Sequence, residues 1–272
     1  MKNFYRYLSP FAPDYSGAAA VFLGCGALIV ICDPGGCSGN VCGYDEPRFY
    51  NDKSAIYSAS LRDMDAIWGK DDRLVGKIVS AASYGHFDMI ALVGTPVVSV
   101  IATDLEALCH MVEKQTGIPT VSVNTSGLDY YDAGEKKARK VLEKRFPGKY
   151  GLEYTPLDSM PTEEKINEMV GMIADSDADK DVNIMIIHQK DAAEMLRNRL
   201  REQGYTNVVT GGWFSGCDIL FKDEDVFIEE CMKYDVICAD PLYFDALSDY
   251  RGIRIPFPHL AVSGDLFTEY EG

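Results

Sequence analysis

Gly26-Ala-Leu-Ile-Val-Ile-Cys32-Asp-Pro-Gly-Gly-Cys37-Ser-Gly-Asn-Val-Cys42 decides how the rest of the chain is read. Its first seven residues are a short, continuous, β-branched apolar run, the pattern of a buried strand. Pro34-Gly35-Gly36 then turns the chain sharply and can present Cys37 away from a sheet. Glycines beside a cysteine also let backbone amides approach its sulfur, which suits soft metals and iron–sulfur clusters. The cysteines run Cys-x6-Cys-x4-Cys-x4-Cys, a spacing of neither a zinc Cys-x2-Cys pair nor a ferredoxin.

Outward from this stretch, strand and helix patterns alternate. Ser60–Ala82 reads as one or two helices, with Met64, Ile67, Leu74, Ile78 and Val79 at helical spacing. Met89–Val93 is a strand closed by Gly94-Thr95-Pro96, Asp104–Thr116 a helix, Thr120–Val123 a strand and Ala133–Phe146 a charged helix. Pro147–Thr162, rich in Gly, Pro and Ser, reads as the boundary between domains at 1–150 and 151–272. Beyond it, Glu163–Ala174, Ala192–Gln203 and Phe227–Met232 read as helices. Val182–His188, a strand starting at Val208 and Val209, and Val236–Ala239 read as strands. The expected fold class is α/β, with two doubly wound, Rossmann-like parallel sheets whose ligand sites lie at strand carboxyl ends. Gly24-Cys-Gly26 and Gly35-Gly36 lack the remaining residues of nucleotide and phosphate loops.

The 272 residues are 47% hydrophobic, enough for sizeable cores. Residues 1–150 carry 16 basic and 17 acidic side chains, residues 151–272 carry 10 and 25, so all but one unit of the net charge of −16 sits in the second half. A surface of that sign argues against nucleic-acid and anionic-membrane partners, and a solvated face is its plainest use. The apolar run Gly17–Ile31 is too short and too interrupted to span a bilayer, so a soluble cytoplasmic protein is expected. Four of the eight cysteines fall within residues 25–42. With no secretory signal, reduced thiols, metal ligation or catalysis fit better than disulfides. Cys25 reads as core filler, Cys32 fits a core or a site, Cys37 among glycines has little use in packing, and Cys42 stands between. Cys109, Cys217, Cys231 and Cys238, scattered on helices, strands and one loop, read mostly as core, and His188 at a strand end as a structural histidine.

An ordered series of segments resembles the component 1 subunits of the nitrogenase superfamily, which includes the light-independent protochlorophyllide and chlorophyllide reductases. Tyr15-Ser-Gly17-Ala18 is similar to the family's small-residue stretch, and Ile29–Cys37 to its strand–Gly-Pro-x-Gly-Cys loop. Ser60–Leu74 resembles its Ser…Glu-x-Asp…Phe-Gly-Gly…Leu segment, and Gly94-Thr-Pro96 with Asp104-Leu-Glu-Ala107 its Cys-Pro…Asp-Ile-Glu-Ala block. The series spans residues 9–127.

The resemblance implies that Cys37 ligates an iron–sulfur cluster, of the 4Fe-4S type, held between two subunits. It also implies electrons from an ATP-dependent iron protein reductase. The family's other ligand cysteines fall at Pro13 and Thr95 here, so Cys42, Cys32 or Cys25 would have to join. Gly35 and Gly36 would supply amides to the cluster, and Asp45, Glu46 and Arg48 would shape the rim of the loop. Two units are read where the family usually has three, so the large cofactor pocket of nitrogenases is expected to be incomplete. The partner expected is a second copy of the chain, or a related subunit. The alternatives are a cluster-free relative that binds a small molecule or partner, and a simple thiol or zinc site at Cys32, Cys37 and Cys42.

Overall fold

The computed structural model describes residues 6, 12–45, 54–62, 65, 69, 71–150, 161–176 and 179–259. They fall into two compact units, one within Ala12–Leu157 and one within Asp158–Gly272, the latter also taking Arg6. The Arg6 backbone N–H donates to Glu224 Oε2 at 2.8 Å.

The first unit is built on four parallel strands, β1 (Ala27–Ile31), β2 (Ala55–Ser58), β3 (Met89–Val93) and β4 (Thr120–Val123), in the order β2-β1-β3-β4. Every residue of β1 and β3 is buried, as a continuous apolar run requires when both faces are covered. Alternation sends Ala27, Ile29 and Ile31 to one face and Leu28, Val30 and Cys32 to the other. Against the first face pack α1 (Asp14–Leu23) and a helix over Tyr131–Arg145. Against the second pack helices over Asp71–Ala82 and Leu105–Thr116. In chain order the helices are α1, α2 (Gly36–Asn40), α3 (Asp71–Ala82), α4 (Pro96–Val100), α5 (Leu105–Thr116) and α6 (Tyr131–Arg145). Of the helical segment expected over Ser60–Ala82, Asp71–Ala82 is a helix, and Met64 and Ile67 lie outside the described residues. Asp104 caps α5 through the Glu106 and Ala107 N–H groups, and Gly117 ends it at φ 71°.

The apolar run Gly17–Ile31 is two elements, helix α1 followed by strand β1. All ten residues of α1 are buried, so it shows no amphipathic stripe to mark it. It lies so close to α6 that a Cβ on Gly17 would sit 1.9 Å from Tyr131 O, and one on Gly134 1.7 Å from Asp14 O.

The second unit holds five parallel strands, β5 (Ile184–Ile187), β6 (Val208–Gly212), β7 (Ile219–Leu220), β8 (Val236–Ala239) and β9 (Ile253–Pro256), in the order β7-β6-β5-β8-β9. Ile184, Ile186, Val236 and Cys238 pack against α7 (Glu163–Asp175) and α8 (Lys190–Glu202). Met185, Ile187, Ile237 and Ala239 pack against α9 (Glu224–Cys231) and α10 (Leu242–Ala246). Both sheets are therefore parallel and doubly wound, as the alternation of elements predicts. Among the described residues, no helix is long and apolar enough to cross a membrane.

At the α1–α6 contact, Gly134→Ala is expected to lower the unfolding free energy by about 1–3 kcal/mol through overpacking. Gly76→Ala on the open face of α3, where an added Cβ meets nothing within 4 Å, is expected to raise it by up to about 1 kcal/mol. Urea unfolding of the two variants checks the pair, and equal effects would exclude the steric account.

Candidate functional site

The carboxyl ends of the first sheet's strands are level, because Ile31 pairs with Ser58 on one side and Val93 on the other. The loops leaving these strands are therefore gathered at one edge. After β1, the chain is pinned by Cys32 N–H to Val93 O at 2.9 Å, and after β2 by Ala59 N–H to Ile31 O at 2.9 Å. Asp33 is wholly buried beyond β1, and its two oxygens accept from Ser38 N–H at 2.8 Å and Ser58 Oγ at 2.7 Å. Gly35, at φ 127°, makes the bend that admits α2, a conformation that strains any residue with a Cβ. Helix α2 runs straight into a π-helical turn, Val41–Asp45, whose Val41 is buried in the core beside α1.

Cys37 and Cys42 stand on this short helix and turn, each half-buried. Burial pushes the Cys37 thiol up, a hydrogen bond from the Tyr15 side chain opposes that, and the Asp33 charge raises it further. Burial, then Asp33, also raises Cys42. Both sulfurs therefore feel the same buried carboxylate. Gly35, Gly36, Gly39 and Gly43 surround them, and a Cβ added at any of these would meet nothing within 4 Å. At these four glycines the loop presents bare backbone.

Cys32 is not with them. It belongs to the core on the opposite face of the sheet, fully buried, its thiol pushed up to about 12 by burial. Cys25 lies before β1, at the other end of the strand, with Sγ 3.4 Å from Val21 O. Cys109, Cys231 and Cys238 are buried, and Cys217 sits among the carbonyls of Gly212, Phe214 and Ile219 at 3.1–3.9 Å. None of the eight cysteines is in a disulfide bond. Thr95 is fully buried and donates to Cys32 O at 2.7 Å, closing the strand ends together. Pro13 precedes α1 and bridges to Tyr130. Among the described residues, no group of three or more His, Cys, Asp or Glu could hold a metal ion. One chain thus brings two half-buried thiols, on α2 and the π-helical turn that follows it, to this loop.

Other residues of the site carry no strong sequence signal. Ser16 Oγ donates to Asp45 Oδ2 at 2.7 Å, so Asp45 ties the turn to α1. Tyr15, on the same turn of α1, belongs to the core cluster against which Cys37 packs. Glu46 and Arg48 lie outside the described residues. Asp33 comes shortly after its strand, and an acidic residue in that place is the one cue that could have marked the anchor.

The second sheet also gathers polar groups at its carboxyl edge. His188 comes directly after β5, is 2% exposed, stacks on Phe257 at 3.9 Å and meets His259 edge-on at 4.7 Å. Asp240 comes directly after β8 and accepts from Leu242 and His259 N–H, both at 3.0 Å, while burial raises its carboxyl. Burial, then His259, holds the His188 imidazole well below its ordinary value.

Residues 13–212 match the family model for nitrogenase component 1 type oxidoreductase. No curated protein matches the chain in sequence. Among solved structures, "Nitrogenase Cp1 at pH 6.5" aligns with a TM-score of 0.45 and 17% identity over 88% of this chain and 43% of that one. The structure titled "Nitrogenase Cp1 at pH 5" aligns with 0.45 and 16%, over 89% and 45%. A glutamate racemase from Campylobacter jejuni subsp. jejuni gives 0.23 and 15%, over 90% and 86%. The chain thus spans less than half the length of the two nitrogenase chains.

In the native protein, iodoacetamide is expected to label Cys37 and Cys42 well before Cys25, Cys32, Cys231 and Cys238, as read by mass spectrometry of quenched digests. Early labelling of Cys32 would contradict its burial. The depressed His188 value means that the unfolded chain binds the proton first. Its contribution to stability is therefore complete above the ordinary value of 6.5 and lost as pH falls below it. Urea midpoints should fall between about pH 6.5 and 5, and less steeply in His188→Gln.

Proposed function

Because the chain belongs to the nitrogenase component 1 type oxidoreductase family, we propose that it is a redox subunit completing its site with a second chain. In this reading Cys37 and Cys42 of two copies, or of one copy and a related subunit, together hold a 4Fe-4S cluster. An ATP-dependent iron protein supplies its electrons. The observation that carries the reading is the pair of half-buried thiols on one glycine-bordered helix and turn, at the carboxyl edge of the central strand.

The donor set decides the stoichiometry. A cubane cluster takes four cysteine thiolates, and two from each chain make four. One chain alone does not suffice, since Cys32 lies in the opposite core and Thr95 offers a hydroxyl already donated to Cys32 O. A cluster so held would supply one-electron transfer at a subunit interface.

The chain's own residues prepare that interface. Asp33 anchors the start of α2 through Ser38 N–H and the end of β2 through Ser58 Oγ, so the loop leaves the sheet at a fixed place. Exposed Pro34, Gly35, Gly36, Gly39 and Gly43 give a second chain close access to the backbone. Gly35 and Gly36 supply the amides nearest Cys37 in sequence, which would tune the cluster by hydrogen bonding to sulfur. The raised thiols must lose their protons on ligation, so metal loading is favoured by higher pH.

A second reading, a cluster-free relative that binds a small molecule or partner, is favoured by one observation, the hydrogen-bonded Thr95 where a ligand thiol would be needed. Anaerobic reconstitution separates the two. The wild-type chain is expected to take up about four iron and four sulfide per pair of chains, to sediment as a dimer when loaded, and to lose both properties as Cys37→Ser. Wild-type protein that stays colourless and iron-free after reconstitution would sink the cluster and leave the second reading.

A further inference from the structure

The second sheet runs β7-β6-β5-β8-β9, so the chain moves outward from β5 through β6 and β7, then returns to lay β8 on the other side of β5. The strand order therefore reverses between β5 and β8. In doubly wound sheets the crevice outside the carboxyl ends at such a reversal is where ligands bind. His188 follows β5 and Asp240 follows β8, each one residue beyond the paired Ile187 and Ala239.

Here the chain itself closes that crevice. Beyond β9, Phe257-Pro258-His259 crosses the ends of both strands as a strap. Phe257 N–H donates to Ala239 O at 2.8 Å, His259 N–H donates to Asp240 Oδ2 at 3.0 Å, and His188 Nε2 lies 3.4 Å from Pro258 O. The Phe257 ring stacks on His188 at 3.9 Å, and the His259 ring meets it edge-on at 4.7 Å. On the opposite face Trp213, leaving β6, stacks on Tyr243 of α10 at 5.2 Å. Between these covers, directly after His188, comes Gln189. It is 0% exposed, it precedes α8 without a side-chain capping bond, and neither polar atom of its carboxamide has a hydrogen-bond partner among the described residues. A buried amide left unpaired costs free energy that packing does not return, so native chains keep few of them. A methionine would fill the same space without that cost.

We propose that the β5–β8 switch point is a ligand site, closed in this structure by the Phe257–His259 strap, where Gln189 receives the amide group of a small uncharged molecule. A carboxamide presents an acceptor oxygen and N–H donors side by side, and another amide pairs with both at once. A carboxylate takes only the donors and sets an oxygen against Oε1, while Asp240 on the adjoining strand end disfavours a second negative charge. Burial, then His259, holds the His188 imidazole well below its ordinary value, so it brings no positive charge to attract an anion. Lys190, the nearest cation in sequence, extends its Nζ along Gly216 of the β6–β7 connection. Lifting the strap gives up the contacts of Phe257 and His259, and pairing the idle carboxamide offsets part of that loss. The site lies wholly within the second unit and does not rest on the thiol loop's holding a cluster.

The test uses the full chain without iron, 15N-labelled in its glutamine side chains, with acetamide as the probe. The controls within the same spectrum are Gln115 and Gln203, both exposed. Acetamide is expected to move the Gln189 carboxamide signal saturably in the millimolar range, as so small a molecule allows, and to leave the other two in place. Acetate, of the same shape but charged, should move none of the three. Pro258→Gly loosens the strap while keeping its carbonyl, and should lower the half-saturating concentration about three- to tenfold by raising the open fraction. Gln189→Met should melt at the wild-type temperature or above it, since no partner is stranded. A Gln189 signal that acetamide fails to move saturably in the wild type and in Pro258→Gly overturns the proposal. Equal movement of all three glutamines, or an equal response to acetate, does the same. A lower melting temperature in Gln189→Met also overturns it, because the carboxamide would then be paired already in the free chain. An unchanged half-saturation in Pro258→Gly would remove the strap as the lid.

Discussion

The first unit depends on the close approach of α1 and α6 at Gly17 and Gly134, where no side chain larger than hydrogen fits between the backbones. That approach lets α1 lie flat on the sheet with every residue buried. It also brings Asp14 to a site where its carboxylate accepts from Ser126 and Gly127 N–H and pairs with Lys137 Nζ at 2.9 Å. A buried carboxylate is tolerable only when so completely partnered, and losing one partner costs far more than the pair contributes. The position of α1 is thus fixed twice, by sterics along its length and by charge at its start. Tyr15 and Ser16 come directly after Asp14, so the same constraint decides where the cysteine loop can attach.

The loop is held at its other end by Asp33, and this has a chemical consequence. The carboxylate that organises α2 also stands near both thiols and disfavours their ionisation, in the same sense as their burial. The Tyr15 hydrogen bond works against both effects at Cys37 alone. The two sulfurs are therefore unequal. Cys37 packs against the first core, whereas Cys42 is raised by burial and by Asp33. A cation arriving at the pair would reverse the balance, since positive charge between two thiols and an aspartate offsets the field that keeps them protonated.

Both sheets place polar groups at the carboxyl ends of their central strands, where parallel strands leave a crevice between diverging loops. The first edge is built from thiols, glycines and a half-covered loop. The second is built from aromatic and imidazole rings packed face and edge, with His188 and His259 each 2% exposed. The contrast arises from the residues that succeed the strands. Pro34-Gly35-Gly36 keeps the first loop thin and accessible, while Phe257-Pro258-His259 folds large side chains back onto His188.

Much of the architecture is dictated by the chain alone. Continuous apolar runs such as Met89–Val93 and Val236–Ala239 can be satisfied only as strands covered on both faces, and Asp104 with Gly117 delimits α5 by capping chemistry that is local. The partial exposure of Cys37 was legible for a similar reason, because glycines on one side of it leave the loop thin, although the structure also packs it against the first core. Other features were decided by distant contacts. Helix α1 hides in an apolar run because full burial erases the period that would reveal it. Cys32 and Cys37 look like neighbours in sequence, yet Cys32, directly after β1, is buried in one core while α2 sets Cys37 partly against the other. Tyr15, Ser16, Asp33 and Ser58 become parts of one site only when α1, β1 and β2 are brought together. No local rule links residues as distant along the chain as Tyr15 and Ser58. The sequence determines which segments must be buried and where thiols are free to face outward; the tertiary structure decides which of those thiols share a site, because that depends on which face of a sheet each one leaves.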